Sequence, residues 1–83
     1  MVRVKLYGSA RALAAREELA LELPSVLPLQ ELLQRIAPEG RPLPPGIASA
    51  ILINGRNCAF REGLATPIVD GDLIEVLPIV TGG

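Results

Sequence analysis

The stretch from Asp70 to Gly83, DGDLIEVLPIVTGG, decides the fold that this sequence predicts. Asp70-Gly71-Asp72 is a turn signal, and the apolar run Leu73-Ile74-Glu75-Val76-Leu77 that follows it is typical of a strand. Pro78 has no backbone N–H, so we expect it on a sheet edge or just past the paired region. The last strand therefore runs almost directly into the diglycine Gly82-Gly83.

Further strands are predicted upstream of this stretch. Val2 to Tyr7 and Glu18 to Leu23 alternate apolar and polar residues, the pattern of strands buried on one face. Ala50 to Ile53 is a continuous apolar strand, and Asn54-Gly55 after it favours a tight type I′ hairpin turn. Arg56 to Phe60 is expected to return as a short strand.

One main helix is predicted between Pro28 and Ala37. Its apolar residues recur at i, i+3, i+4 and i+7, namely Leu29, Leu32, Leu33 and Ile36. Pro28 suits the first turn, and Pro38 favours termination because it disfavours helix for the residue before it. A shorter helical turn is expected within Ala10 to Arg16, and the Pro/Gly-rich segment 38–46 is expected to be a plain connector.

The order of these elements predicts an α+β fold with a mixed sheet and one helix packed across it. Two opening strands, a crossover helix and further strands are the plan of a β-grasp sheet. The 83 residues are enough for one small domain, so we expect residues 1–83 to form a single unit ending in a flexible tail.

Composition excludes several functional classes. The formal net charge is −1 and aromatic residues are 2% of the chain, which gives no reason to expect a nucleic-acid partner. The chain has no histidine and one cysteine, Cys58, so we expect no internal disulfide, no metal site and no self-contained catalysis. Cys58 is expected to be a small buried hydrophobe.

Apolar runs are too short to span a membrane, and the alternating N-terminus is unlike a signal peptide. We therefore expect a cytoplasmic protein without membrane partners.

The diglycine terminus is the strongest functional signal. Because glycine has no Cβ, an extended Gly82-Gly83 end is thin enough to carry its α-carboxylate into a narrow active site. The alternative is an ordinary frayed terminus.

Three stretches together resemble the MoaD/ThiS family of ubiquitin-like sulfur carriers. Leu6-Tyr7-Gly8-Ser9-Ala10-Arg11 resembles the family's strand exit of an aromatic, a small residue and an arginine, and Ile53-Asn54-Gly55 resembles its hairpin. The ending from Asp70 to Gly83 is most similar to the molybdopterin synthase branch, where a DGD turn, an apolar strand, a proline and V-T-G-G recur at this spacing. The resemblance covers nearly the whole chain.

This resemblance implies a mechanism centred on Gly83. An E1-like adenylyltransferase would use ATP to form an acyl-adenylate there, and a cysteine desulfurase or rhodanese-like donor would convert it to a thiocarboxylate. That sulfur would reach a pterin precursor inside the large subunit of molybdopterin synthase. The chain itself would bind no cofactor; Gly82 would provide clearance, and Thr81 and Val80 would hold the tail extended.

A docking surface is expected beside the tail. If Ile74 and Val76 face the helix, Leu73 and Leu77 share the face of Glu75 and are partly exposed, as in a partner patch. Their alternative is burial under the tail. A further candidate is Phe60, either an interface anchor or a core residue.

Three other functions stay open on the sequence alone. A thiamin-type sulfur carrier would pass sulfur to another acceptor, and a ubiquitin-like modifier would use the same terminus to form isopeptide bonds with lysines. A plain β-grasp interaction domain would need no reactive end.

Overall fold

The structure is a computed structural model that describes residues 1–13, 17–37 and 46–78. Within these ranges the elements, in chain order, are β1 (Val2–Leu6), β2 (Glu18–Leu21), β3 (Leu27–Pro28), α1 (Leu29–Ile36), β4 (Ile51–Ile53), β5 (Arg56–Asn57), β6 (Pro67–Ile68) and β7 (Leu73–Val76). Short 3₁₀ segments lie at Gly8–Leu13, Ile47–Ala50, Cys58–Phe60 and Gly63–Ala65.

Five strands form one mixed sheet in the order β2-β1-β7-β4-β5. β1 runs parallel to β7, with Val4 opposite Ile74, whereas the other neighbouring pairs are antiparallel. The first and last strands of the sequence are therefore neighbours near the centre of the sheet. The expected β-grasp architecture is confirmed.

Helix α1 and one face of this sheet enclose the core. The predicted apolar stripe is confirmed, because Leu29, Leu32 and Leu33 are fully buried and Ile36 packs partly buried against the same cluster. The strands contribute their inward residues, Val2, Val4, Leu6, Ile51, Ile53, Ile74 and Val76. Leucine, isoleucine and valine thus fill a core that holds neither of the two aromatic side chains.

A two-stranded ribbon of β3 and β6 holds the start of the helix, and the sequence did not predict it. Leu27 lies opposite Ile68, and the Leu29 N–H donates to the Thr66 carbonyl at 2.9 Å. Pro28 precedes the helix without a side-chain cap, so the bond from Leu29 satisfies a helix-start donor. Strands of two residues are too short to show an alternating pattern.

The Asn54-Gly55 hairpin turn is confirmed, but the strand after it is shorter than expected. Asn54 and Gly55 both have positive φ, 52° and 85°, as a type I′ turn requires. The prediction of a strand from Arg56 to Phe60 is wrong beyond Asn57. The Asn57 side-chain oxygen accepts from the Ala59 N–H at 2.8 Å, which favours a 3₁₀ turn over the ladder.

Other predicted boundaries shift by a few residues. The second strand ends at Leu21, two residues early, and Ala50 belongs to the 3₁₀ segment that precedes β4. The early helical turn is the 3₁₀ segment Gly8–Leu13. The remainder of that prediction, residues 14–16, and residues 38–45 of the connector lie outside the described residues.

Candidate functional site

β7 presents two different faces, as its sequence predicts. Ile74 and Val76 are 0% and 2% exposed and join the core. Leu73 and Glu75 lie on the opposite face and are half-buried, as is Leu77 just past the strand. The predicted partial exposure of Leu73 and Leu77 is confirmed, whereas their role in docking stays a prediction.

The strand register adds neighbours to this outer face of the sheet. Arg3 lies beside Leu73, and Lys5 beside Glu75, in the parallel pair with β1. On the other side, Leu52 of β4 lies beside Glu75 and is half-buried. Residues paired across neighbouring strands point to the same face, so Leu52 belongs with Leu73.

Tyr7 completes this group from the end of β1. Its hydroxyl donates to Glu75 Oε2 at 2.7 Å, and its side chain is 39% exposed. We call Tyr7, Leu52, Leu73 and Leu77 the outer patch. The hydrogen bond occupies one oxygen of the Glu75 carboxylate, so the charge within the patch has a partner.

The same contact changes the acidity of Tyr7. Its hydrogen bond to Glu75 raises the pKa of the phenol, and loss of hydration and the negative charges of Glu75 and Glu18 raise it further. Tyr7 is therefore a neutral donor at physiological pH. At the border of the patch, Arg3 pairs with Glu18, which lowers the pKa of that carboxyl.

Two turn motifs meet where β7 begins. The Asn54 amide donates to Asp72 Oδ1 at 2.9 Å, while its own oxygen accepts from the Leu73 N–H at 2.9 Å. The second carboxylate oxygen of Asp72 accepts from the Val69 N–H at 2.9 Å. This side-chain clasp fixes the first residue of β7, and with it the face on which Leu73 lies.

Both neighbouring strands hold the other end of β7. The Tyr7 N–H donates to the Val76 carbonyl at 2.9 Å, and the Leu77 N–H donates to the Ala50 carbonyl at 2.7 Å. Exposed Pro78 follows, past the paired region as predicted. The outer patch therefore extends to the point at which the chain leaves the sheet.

The predicted reactive tail lies beyond that point. Gly83, Gly82, Thr81 and Val80 are outside the described residues. Their roles stay predictions, and the described part of the site is the outer patch together with the exit at Pro78.

Phe60 does not join the outer patch through the strand register. It is 80% exposed, so the alternative that it fills the core is wrong. It lies past edge strand β5, and β4 separates that strand from β7, a spacing of about 10 Å. Phe60 stays a prediction as an interface anchor, at the border of the face rather than in its centre.

Cys58 lies on the core side and is fully buried, as expected. Burial raises the pKa of its thiol, which disfavours the nucleophilic thiolate. Residues 1–13, 17–37 and 46–78 contain no cluster of three potential metal ligands. In the same ranges, each helix is too short or too polar to cross a membrane.

Sequence comparison connects the chain to a known family. The profile of the ThiS family matches residues 4–83. A provisionally named sulfur carrier protein of Archaeoglobus fulgidus is 39% identical over 51 residues, which are 61% of this chain and 56% of that protein. The match thus spans little more than half the length of that curated relative.

Solved structures share the fold over nearly the whole chain. Small archaeal modifier protein 1 of Methanosarcina acetivorans is 34% identical with a TM-score of 0.67, covering 99% of this chain and 95% of that one. A chain in the complex of subunits 1 and 2 of the Helicobacter pylori molybdopterin-converting factor is 32% identical with a TM-score of 0.57, covering 99% and 97%. Proteins with different names therefore share this ubiquitin-like architecture.

Proposed function

The chain belongs to the ThiS family, and from this membership we propose that it is a sulfur carrier whose terminal Gly83 becomes a thiocarboxylate. The observation that carries the proposal is the reach of the family match. It extends through residue 83 and so includes the diglycine that follows the outer patch and its exit at Pro78. The name of the Archaeoglobus fulgidus relative supports the same function.

The proposed chemistry needs an activating partner because a carboxylate is a poor electrophile. A Gly83 carboxylate oxygen attacks the α-phosphorus of ATP in an E1-like enzyme, and pyrophosphate leaves. Hydrosulfide then attacks the acyl carbonyl and AMP leaves, which gives the thiocarboxylate. The chain has no histidine to act as acid or base, so the partner supplies that chemistry.

The tail sequence suits delivery into such a partner. Gly82 has no side chain to obstruct a narrow channel, and β-branched Thr81 and Val80 favour an extended backbone. We propose that these three residues thread Gly83 into the active site. The chain would contribute the reacting group and its presentation, and the partner enzymes the catalytic residues.

The finer proposal is that the chain is the small subunit of molybdopterin synthase. Its similarity to a chain in the Helicobacter pylori complex supports a large-subunit partner. The outer patch offers a matching surface, because half-buried leucines surround a carboxylate that Tyr7 already engages. Interface cores are depleted of unpaired charge, which makes this face more suitable than an open carboxylate would be.

The loading reaction tests the carrier proposal directly. The protein is incubated with its activating enzyme, ATP and sulfide, and its intact mass is measured. We expect an increase equal to one exchange of oxygen for sulfur, lost on deletion of Gly83 or on addition of one residue after it. Loading that survives such an addition would exclude the terminal carboxylate as the reacting group.

A modifier function is the second candidate, supported by the similarity to small archaeal modifier protein 1. The same activated Gly83 would then acylate lysines of other proteins. Purification from the native host separates the functions: a carrier is recovered with a terminal thiocarboxylate, and a modifier as higher-mass conjugates. Transfer of sulfur to a pterin precursor with the large subunit present, but not to a thiamin precursor, would support the finer proposal.

A further inference from the structure

Gly8 and Pro78 lie in unusually close contact where β1 and β7 end. Gly8 has φ of +54°, and a Cβ built on it would lie 2.7 Å from Cγ of Pro78. Ordinary contacts of a Cβ atom begin at about 3.4 Å, so no side chain fits there without displacing the proline. The absent side chain of Gly8 therefore provides the space that the Pro78 ring occupies.

This contact distinguishes Gly8 from glycines that only satisfy a turn. Gly63 has nearly the same backbone conformation, φ +57°, yet a Cβ there would meet nothing within 4 Å. Positive φ alone explains a glycine at position 63. At position 8 the backbone conformation and the proximity of Pro78 both require it.

The chain on either side of the contact has little freedom to adjust. Gly8 follows Tyr7, whose N–H is bonded to the Val76 carbonyl, and Pro78 follows Leu77, whose N–H is bonded to the Ala50 carbonyl. A displacement of the proline ring would therefore pass mainly into the chain after Pro78. That chain leads within five residues to Gly83.

We infer that Gly8 is a positioning residue that sets the direction in which residues 79–83 leave the sheet. The inference rests on the proposed function only for its purpose, which is to aim Gly83 at the activating enzyme. The contact itself is a property of the fold. The first family-like motif, which the proposed chemistry does not otherwise use, thereby acquires a role.

Gly8→Ala tests this inference, with Gly63→Ala as the matched control. Both variants place an alanine at nearly the same positive φ, so both should lose comparable stability from backbone strain. Only Gly8→Ala should displace Pro78. We expect it to shift the amide NMR signals of Thr81, Gly82 and Gly83, which Gly63→Ala should leave in place.

Kinetics of the activating enzyme provide the second measurement. Misaimed tails should lower kcat on the order of tenfold while KM for the carrier stays constant, because the outer patch is intact. Partial unfolding would instead raise the apparent KM and leave kcat unchanged. The double variant Gly8→Ala/Pro78→Ala, which removes the clashing Cγ, should restore both the signals and kcat.

The outcomes separate this inference from the proposed function. Tail signals that are equal in the two glycine variants, or a double variant without rescue, would overturn the role of Gly8. Shifted and rescued signals in a protein that is never thiocarboxylated would support it and overturn the carrier function. If Gly8→Ala does not fold, Pro78→Ala alone replaces it: it removes the ring from the same contact and should shift the same signals, and unshifted signals would overturn the inference.

Discussion

Asp72 and Asp70 belong to one turn, yet their carboxylates have different roles. Asp72 is 9% exposed and accepts hydrogen bonds from the Asn54 side chain and the Val69 backbone. Asp70 is 77% exposed and pairs with the N-terminal ammonium, which lowers the pKa of its carboxyl. Exposed ion pairs contribute little to stability, whereas a buried donor without its acceptor is costly.

Removal of the Asp72 carboxylate should therefore weaken the domain much more than removal of its neighbour. Asp72→Ala leaves two donors without an acceptor, so we expect its unfolding free energy to fall by about 1 to 3 kcal/mol. Asp70→Ala is the matched control and should change the urea midpoint less. Equal midpoints for the two variants would show that the clasp does not stabilise the start of β7.

Tyr7 permits a direct test of the outer patch, because it is the one tyrosine of a chain without tryptophan. Its ultraviolet absorbance should titrate above pH 10.0, the ordinary pKa of a tyrosine, since Glu75 raises the pKa of the phenol. Glu75→Gln should lower the midpoint. A midpoint that Glu75→Gln leaves unchanged would contradict the Tyr7–Glu75 hydrogen bond.

The sign of this shift also fixes its effect on stability. A pKa that is higher in the folded than in the unfolded state stabilises the fold below the unfolded value and ceases to do so as the pH rises through the folded one. Stability lost by wild type but not by Tyr7→Phe should therefore appear only above about pH 10.

At the scale of elements, β7 carries a core face and a docking face. Leu33→Asp on the helix should unfold the protein, because truncation of a buried leucine alone costs about 2 to 5 kcal/mol and a carboxylate adds to that. Leu73→Asp and Leu77→Asp, at half-buried sites, should lose about 1 kcal/mol, or about 4 to 8 °C in Tm. Their main effect should be weaker binding to the large subunit of molybdopterin synthase.

Val26→Asp is the control for this comparison. Val26 is apolar and 59% exposed, and it precedes β3, which contacts the helix rather than the outer face. We expect it to bind like wild type. Thermal melts and titration calorimetry check both properties, and Leu73→Asp or Leu77→Asp variants that bind normally would place the docking surface elsewhere.

The sequence predicted those elements that have a period long enough to detect. The helix stripe and the opposed faces of β7 were readable because alternate residues differ in polarity. Leu52 was missed, since it stands between two buried isoleucines in a uniformly apolar run. The β3–β6 ribbon and the Asn54–Asp72 clasp depend on contacts between distant residues, which no local pattern encodes.

At the scale of the whole molecule, stability should be highest where the first and last strands pair. β1 and β7 each have a strand on both sides, whereas β5 is a two-residue edge strand. Native-state hydrogen exchange should therefore show amides of β1 and β7 opening only with global unfolding, and those of β5 opening earlier. Faster exchange in β7 than in β5 would contradict a sheet built around the β1–β7 pair.

That pairing has a consequence for biosynthesis. While β7 is still on the ribosome, the sheet consists of two separate hairpins, β1 with β2 and β4 with β5, which share no strand. An isolated hairpin is at best marginally stable in water, so the nascent chain has no folded sheet to keep. Folding therefore follows translation of β7. Prematurely terminated chains stay unfolded and do not compete with complete copies for their partners.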